Sequence, residues 1–208
     1  MTIYCFDFIL LKTLRCISVL VFLLMFQAGQ ARYFNLNFQN FNSGNGLPGN
    51  NVESLYQDRK GFIWAGTRFG LSMFDGTHFR NFLHDPLDSS SIGGTRVFKM
   101  HEDKKGMLWV ASENFGLSRI DLNTFKIRNF PIPVNRQLED RYINTLYIDK
   151  KGKIWIGTET GISYFDAVTE RYVKVEMKAL QVNKEIVTFT EDKWGTLWAI
   201  GYNGNIFY

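Results

Sequence analysis

The chain has 208 residues, of which 45% are hydrophobic, 21% charged and 16% aromatic, and its formal net charge is +4. This balance is that of a globular protein and excludes a disordered or collagen-like chain, and the high aromatic content favours strands over helices. The basic residues do not cluster into a tract that follows a phosphate backbone, so nucleic acid is not an expected partner of this region.

The first residues have the pattern of an export signal. Lys12 and Arg15 precede the uncharged run CISVLVFLLMF, which is shorter than the roughly 20 residues of a membrane-spanning helix. Gly29 and Ala31 are small residues at the minus-three and minus-one positions of a plausible cleavage site. The sequence therefore predicts a signal peptide over residues 1–31 and export to the periplasm, with an uncleaved signal-anchor as the alternative.

Cysteine and histidine usage argues against redox and metal chemistry. Cys5 and Cys16 both lie within the predicted signal peptide, so the exported chain would have no disulfide. His78, His84 and His101 stand far apart and without the spacing of a metal site. We therefore expect no metal and no cofactor.

A motif recurs four times along the chain. Tryptophans are separated by 45, 46 and 43 residues, and each follows a glycine by three positions and an aspartate by six. Self-similarity at a fixed period is the sequence signature of a repeat architecture. The residues of this Asp-x-x-Gly-x-x-Trp motif are Asp58, Gly61, Trp64, Asp103, Gly106, Trp109, Asp149, Gly152, Trp155, Asp192, Gly195 and Trp198.

Each repeat has the features of four short antiparallel strands. Asp-x-x-Gly suits a tight turn in which the aspartate accepts backbone hydrogen bonds and the glycine takes the left-handed conformation. After the tryptophan strand, a third strand reads GLSMFD, GLSRID or GISYFD, and a fourth reads FRNF, FKIRNF or RYVKV. Four antiparallel strands in about 45 residues are typical of a β-propeller blade. The tryptophans and nearby aliphatic side chains are then expected to fill the space between blades.

The predicted fold class is all-β, an incomplete β-propeller of four-stranded antiparallel blades with about three full blades and most of a fourth. Residues 32–45 include the alternating stretch YFNLNFQNF, which suits an outer strand that would complete the last blade of a closed ring. The predicted blades are residues 46–83, 84–131 and 132–176, followed by a partial blade over 177–208.

With the repeat written out, the chain resembles the two-component regulator propeller family. The stretch GLPGNNVESLYQDRKGFIWAGTRFGLSMFDGTHFRNF, residues 46–82, is similar to the opening blade of that family. The link HDPLDSSSIGGTRVFKMHEDKKGMLWVAS, residues 84–112, is similar to the join between its first and second blades. The resemblance extends from about Tyr33 to Tyr208. Two departures, Ala111–Ser112 and Ile200–Gly201 in place of Gly–Thr, fall at a hairpin and leave the blade pattern intact.

The resemblance implies a sensor in the envelope of a glycan-degrading bacterium. Family members combine a signal peptide, many propeller repeats, a small β-sandwich, one transmembrane helix, and kinase, receiver and DNA-binding domains. We interpret this chain as the N-terminal part of such a periplasmic sensor and not as an enzyme, whereas a full-length relative would be a histidine kinase anchored in the inner membrane. The missing blades and signalling domains are its implied partners, and the organisation is compatible with a homodimer of the full-length protein.

The loop between the second and third strands changes from copy to copy and is therefore free to recognise a ligand. In propellers this loop usually shares a face with the chain that leads into the innermost strand. Aromatic, amide and charged groups together suit sugar rings, so we expect an oligosaccharide ligand. The candidate ligand-binding residues are Arg68, Phe69, Glu113, Asn114, Phe115, Glu159, Thr160, Tyr202 and Asn203.

Two other functions stay open at this point. The propeller could be an interaction module that binds a protein and no sugar, or an enzyme of the lyase type. A sialidase Asp-box does not fit, because it has one residue between aspartate and glycine where this chain has two. No catalytic residues are assigned. The lysine pairs Lys104–Lys105 and Lys150–Lys151 are expected to be solvated turn residues, with anion binding as the alternative.

Overall fold

The computed structural model describes residues 37–133, 142–176 and 185–208, together with Ser18. The chain divides into two compact units, Met1–Asn40 and Phe41–Tyr208. Apart from Ser18, the predicted signal peptide lies outside the described residues. Within the part of the chain that the structure describes, no helix is long and apolar enough to cross a membrane.

The described residues of the second unit form a 3-10 turn at Ser43–Asn45 followed by short strands in four antiparallel sheets. The first sheet contains β1 (Val52–Gln57), β2 (Ile63–Thr67), β3 (Gly70–Phe74) and β4 (Phe79–Phe82). The second contains β5 (Val97–Glu102), β6 (Met107–Ser112), β7 (Gly116–Asp121) and β8 (Ile127–Pro131). The third contains β9 (Ile143–Ile148), β10 (Ile154–Thr158), β11 (Gly161–Asp166) and β12 (Arg171–Lys174), and the fourth β13 (Ile186–Glu191), β14 (Leu197–Gly201) and β15 (Ile206–Phe207).

The sheets succeed one another in the manner of propeller blades. Strands within each sheet pair in sequence order, and the first strands of successive sheets are neighbours, β1 of β5, β5 of β9 and β9 of β13. The first strand of each sheet is therefore innermost and the last is peripheral. This confirms the all-β class, with three four-stranded blades and a three-stranded fourth. Within the described residues, no strand pairing joins the fourth sheet to the first.

Apolar cores fill the space between adjacent sheets. Trp64 of the first sheet is fully buried in one cluster with Leu108 and Ile120 of the second. Trp109 of the second sheet packs likewise with Ile156 of the third. Burying a large apolar side chain contributes about 1.5–3 kcal/mol, so these clusters stabilise each blade through its neighbour. The expectation that the tryptophans fill the space between blades is confirmed for Trp64, Trp109 and Trp155, whereas Trp198 lies on the last described sheet and contacts Tyr208.

The motif aspartate holds both its turn and its tryptophan. In the first copy, Oδ1 of Asp58 accepts hydrogen bonds from the N–H groups of Lys60 and Phe62, at 2.9 and 3.0 Å. Gly61 closes the turn with a φ of 90°, as its sequence position predicts. Oδ2 of Asp58 accepts a hydrogen bond from the indole N–H of Trp64 at 2.9 Å. The same indole bond is present in the other three copies, at 2.9, 2.9 and 3.1 Å.

The basic residue after each of the first three motif aspartates connects neighbouring blades. A guanidinium N–H of Arg59 donates to the carbonyl of Asp103 at 2.7 Å. The Lys104 ammonium donates to the carbonyl of Lys150, and the Lys150 ammonium donates to that of Asp192 at 2.6 Å. Lys104 and Lys150 are therefore more than solvated turn residues. They fasten the turn of one blade to the turn of the next, which the sequence of a single turn does not reveal.

Every innermost strand contains a β-bulge near its beginning. The pairing of each first strand with the second strand shifts register at the same point of the blade. A bulge inserts one unpaired residue and re-aims its side chain. The bulged residues are Glu53 in β1, Phe98 in β5, Asn144 in β9 and Val187 in β13.

The N-terminal strand predicted over residues 33–41 lies partly outside the described residues. Its described part, residues 37–41, belongs to no strand. The Phe41 ring packs on the first sheet, with its centroid 4.8 Å from that of Phe74 and 5.3 Å from that of Phe79. Completion of a last blade by this segment stays a prediction.

Candidate functional site

The loops between second and third strands lie at the same end of the sheets as the residues that lead into the first strands. Among the described residues, backbone hydrogen bonds join the two sets in the first, second and fourth blades, as expected from propeller geometry. We call this end of the sheets the loop face. The donor–acceptor pairs are Arg68 to Asn51 (3.3 Å), Glu113 to Arg96 (2.9 Å) and Tyr202 to Glu185 (3.0 Å).

In the first blade, the two candidate residues are exposed on a well-held loop. The hydroxyl of Thr67 accepts from the N–H of Phe69 at 3.1 Å and donates to the carbonyl of Gly70 at 3.0 Å. The Phe69 ring is 64% exposed and lies over Gly49, where an added Cβ would come within 2.6 Å of Cδ2. Arg68 and Phe69 are therefore presented to solvent from a fixed backbone.

The second blade uses its candidate residues differently. Asn114 is exposed and has a φ of 56°, and this left-handed residue accommodates the extra position of the loop. Phe115 is half-buried against the backbone of Gly93, where a Cβ would come within 1.9 Å of Cε1. Phe115 thus secures the chain leading into β5, and only part of its ring faces solvent. Glu113 is half-buried and forms an ion pair with Arg96 at 3.4 Å.

In the third and fourth blades the candidate residues stay near the surface. Glu159 is exposed, and the hydroxyl of Thr160 accepts from the Lys174 ammonium at 2.9 Å. Tyr202 is 70% exposed and Asn203 is exposed. The nine candidate residues therefore share one face but lie on four separate loops. Among the described residues, no hydrogen bond joins candidates of different blades.

A chain of ion pairs connects the loops of the first two blades. The sequence predicted Arg68 and Glu113 as candidate residues but not Glu53 and Arg96. Oε1 of Glu53 accepts from Nε of Arg68 at 3.1 Å and from Nη2 of Arg96 at 2.9 Å. Arg96 continues the chain to Glu113. The hydrogen bond from Arg68, together with the charge of Arg96, lowers the pKa of Glu53 against the opposing effect of burial. The two arginines and two carboxylates leave the cluster without net charge at neutral pH.

Further polar and aromatic groups lie beside this chain. The Arg96 guanidinium lies over the Phe98 ring at 4.6 Å from its centroid. The side-chain amide of Asn144 donates to Oε1 of Glu185 at 3.3 Å. Glu53, Phe98 and Asn144 occupy equivalent positions near the beginnings of β1, β5 and β9, and they differ in residue type. A comparison of these positions between the repeats would have predicted them as candidates.

The loop face therefore offers groups for recognition. Guanidinium and amide donors, carboxylate acceptors and aromatic rings are the groups that orient small polar ligands in proteins. In the described ranges, no three His, Cys, Asp or Glu side chains are grouped so that they could hold a metal ion.

The chain is similar to known proteins in sequence and in structure. The family profile described as "Two component regulator propeller" matches residues 46–69 and 137–160. Histidine kinase P4 of Formosa agariphila is 34% identical over 82 residues, which are 39% of this chain and 6% of that protein. The extracellular domain of a putative hybrid two component system from B. thetaiotaomicron has a TM-score of 0.69 at 24% identity, over 81% of this chain and 24% of that chain. A second such domain from B. thetaiotaomicron has a TM-score of 0.61 at 20% identity, over 80% and 22% of the two chains.

These similarities agree with the repeat seen in the structure. The two profile matches each include one Asp-x-x-Gly-x-x-Trp motif, that of Trp64 and that of Trp155. The solved domains share the propeller fold, and the chain spans about a quarter or less of the length of each of these relatives. Residues 46–69 and 137–160 of the chain therefore match the repeat of the two-component regulator propeller family, and the propeller fold agrees with these matches.

Proposed function

We propose that this chain forms part of the periplasmic sensor propeller of a hybrid two-component regulator, in which it recognises a ligand for signal transduction. The observation that carries the proposal is the combination of family repeats with a blade arrangement like that of extracellular domains of such systems. Kinase, receiver and DNA-binding functions would belong to other parts of the regulator.

The ligand that we propose is an oligosaccharide, and the regulated process is glycan use. The rings of Phe69 and Tyr202 are exposed on the loop face, 64% and 70% respectively. Arg68 and Asn203 lie directly beside them in sequence, so each ring has a polar neighbour. A sugar has an apolar ring face and many hydroxyls, and it is recognised by this combination of groups.

Binding to the full-length receptor tests the proposal. We expect a panel of defined oligosaccharides to contain at least one that binds, and we expect Phe69→Ala or Tyr202→Ala to weaken that binding about tenfold, as loss of an anchoring aromatic does. Trp194→Ala is the matched control, because this ring is 79% exposed in a turn at the opposite end of the sheets. A receptor that binds no oligosaccharide and captures a protein partner through the loop face would support the interaction-module alternative.

A further inference from the structure

The four β-bulges mark positions where an invariant backbone carries a variable side chain. Each innermost strand has its bulge at the same place, yet the bulged residues are a carboxylate, an aromatic ring, an amide and an aliphatic group. Geometry that all copies share belongs to the blade scaffold. A side chain that differs between copies at such a position is not needed for the scaffold and is available to bind a ligand. Bulges are also over-represented next to functional sites, where they re-aim side chains.

The bulged side chains meet the residues that lead into the next blade. Glu53 reaches Arg96, with Oε1 accepting from Nε at 3.0 Å and from Nη2 at 2.9 Å. Asn144 reaches Glu185 at 3.3 Å. These contacts place the bulged residues on the loop face, on its innermost strands, inside the ring of loops that the sequence singled out.

The blade boundary between these two pairs has aromatic residues at the equivalent positions. Phe98 is the bulged residue of β5, and Tyr142 directly precedes β9. Phe98 is half-buried beneath the Arg96 guanidinium, and Tyr142 is 38% exposed. Three successive blade boundaries therefore present the contacting pair Glu53–Arg96, the two aromatic residues Phe98 and Tyr142, and the contacting pair Asn144–Glu185.

We propose that Glu53, Arg96, Phe98, Tyr142, Asn144 and Glu185, here called the bulge ring, form the main ligand subsite of the loop face, and that this subsite takes an uncharged oligosaccharide of at least two sugar units. The proposal rests on the proposed function and specifies its site and ligand class. The exposed parts of Phe98 and Tyr142 support the apolar face of a sugar ring, while the polar pairs on either side bond its hydroxyls.

The charges of the bulge ring favour an uncharged ligand. Both arginines of the cluster already pair with carboxylates, those of Glu53 and Glu113. A carboxylated or sulfated sugar would bring like charge beside these groups, which costs binding energy and suppresses the wrong partner. Hydroxyl groups can bond to the carboxylates and to the guanidinium without this repulsion.

The length of the ligand follows from the spacing of blades. The innermost strands of neighbouring blades lie closer together than packed sheets, but the two polar pairs of the bulge ring are two strand steps apart, and two steps of about 5 Å exceed one pyranose ring. A ligand that contacts both polar pairs therefore has at least two sugar units.

A matched pair of probes and a set of substitutions in the full-length receptor test the proposal. The probes are tetragalacturonate and its methyl ester, which have the same rings with and without charge, together with cellotetraose, laminaritetraose and mannotetraose. We expect a neutral probe to bind, and we expect Phe98→Leu and Asn144→Ala each to weaken it about tenfold. Asn144→Asp keeps the side-chain shape and is expected to weaken the neutral probe as well. Trp194→Ala should leave the affinity within about twofold.

The outcomes separate this inference from the function on which it rests. Binding of a neutral probe that is insensitive to Phe98→Leu, Asn144→Ala and Asn144→Asp but lost in Phe69→Ala would overturn the bulge ring and leave sugar sensing intact. Tighter binding of tetragalacturonate than of its methyl ester would overturn the uncharged ligand class. If no oligosaccharide bound to the wild-type receptor, the proposed function itself would fail, and the inference with it.

Discussion

At the scale of single residues, the motif aspartate has more contacts than its turn requires. Oδ1 of Asp103 accepts from the N–H groups of Lys105 and Met107 at 2.8 and 3.1 Å, and Oδ2 accepts from the indole of Trp109 at 2.9 Å. Trp109 is 1% exposed, so its indole N–H depends on this carboxylate for a partner. One side chain thereby joins the turn at the blade edge to the core between two blades.

Asp103→Asn tests this link. The amide retains an acceptor for the turn, but its NH₂ group would face the indole N–H, and a buried donor left without a partner costs about 1–3 kcal/mol. We expect the free energy of unfolding to fall by this amount in denaturant titrations. Asp121→Asn is the control, because Asp121 accepts from the N–H groups of Asn123 and Thr124 and has no indole partner. Equal losses in both variants would refute a special role for the indole bond.

A second residue-scale feature is a histidine held between two tyrosines of the innermost strands. The His101 ring lies 5.9 Å from that of Tyr56 and 5.5 Å from that of Tyr147, between ring centroids. Its Nδ1 is 3.0 Å from the carbonyl oxygen of Glu102. Burial lowers the pKa of His101, more than the nearby carboxylates raise it. The charged groups that act on it are Glu102, Arg59 and Asp103.

The lowered pKa of His101 predicts a pH dependence of stability. An unfolded histidine binds a proton below a pKa of about 6.5, whereas folded His101 does so only at lower pH. Its contribution is therefore present above pH 6.5 and is lost as the pH falls, with a slope of at most about 1.4 kcal/mol per pH unit. Unfolding free energies between pH 7.5 and 5.5 should show this slope in the wild type and in His78→Asn. The slope should be reduced in His101→Phe, and an unchanged slope there would contradict the assignment.

At the scale of elements, the loops of the second blade depend on close packing across a crossover. The Phe115 ring occupies the space that a side chain at Gly93 would need, and the N–H of Gly93 donates to the hydroxyl of Ser118 at 3.0 Å. The crossover into β5, the second–third strand loop and β7 are thereby locked together. Phe115, which the sequence predicted to be a ligand-binding residue, is half-buried because of this packing.

A double-mutant cycle tests this packing. Gly93→Ala places a methyl group on the Phe115 ring, and overpacking of this kind costs about 1–3 kcal/mol. In a Phe115→Ala background the same substitution should cost much less, because the ring is gone. Denaturant unfolding of the four proteins gives the coupling energy. Additive losses would show that Gly93 and Phe115 act independently.

At the scale of the whole molecule, blades are stabilised by their neighbours. Each of the first three sheets packs its tryptophan face against the following sheet, and the basic residues Arg59, Lys104 and Lys150 repeat the connection at the turns. The first and fourth sheets, at the two ends of the described series, retain exposed apolar side chains. Leu55 of β1 is 69% exposed and Ile206 of β15 is 61% exposed. Repeat proteins stack in this way, so a binding surface is formed across several blades rather than within one.

Much of this molecule could be predicted from its sequence. The turn at Asp58, the strand carrying Trp64 and the third and fourth strands all follow from spacing within one repeat, and all four are present. The loop face was also anticipated, since antiparallel strands place alternate loops at the same end of a sheet. The packing of Phe115 on Gly93 could not be predicted in this way, because the two residues lie 22 positions apart in sequence.

The sequence alone determined the repeat, the all-β class and the four strands of each of the first three blades, because these depend on residues close together along the chain. Only the tertiary structure decided which side chains meet across blades, such as Glu53 with Arg96 or Lys150 with Asp192. Such partners lie about one repeat apart, and a register shift in one strand changes which side chain faces the loops. Stacking of the sheets therefore created the bulge ring, and no single repeat contains it.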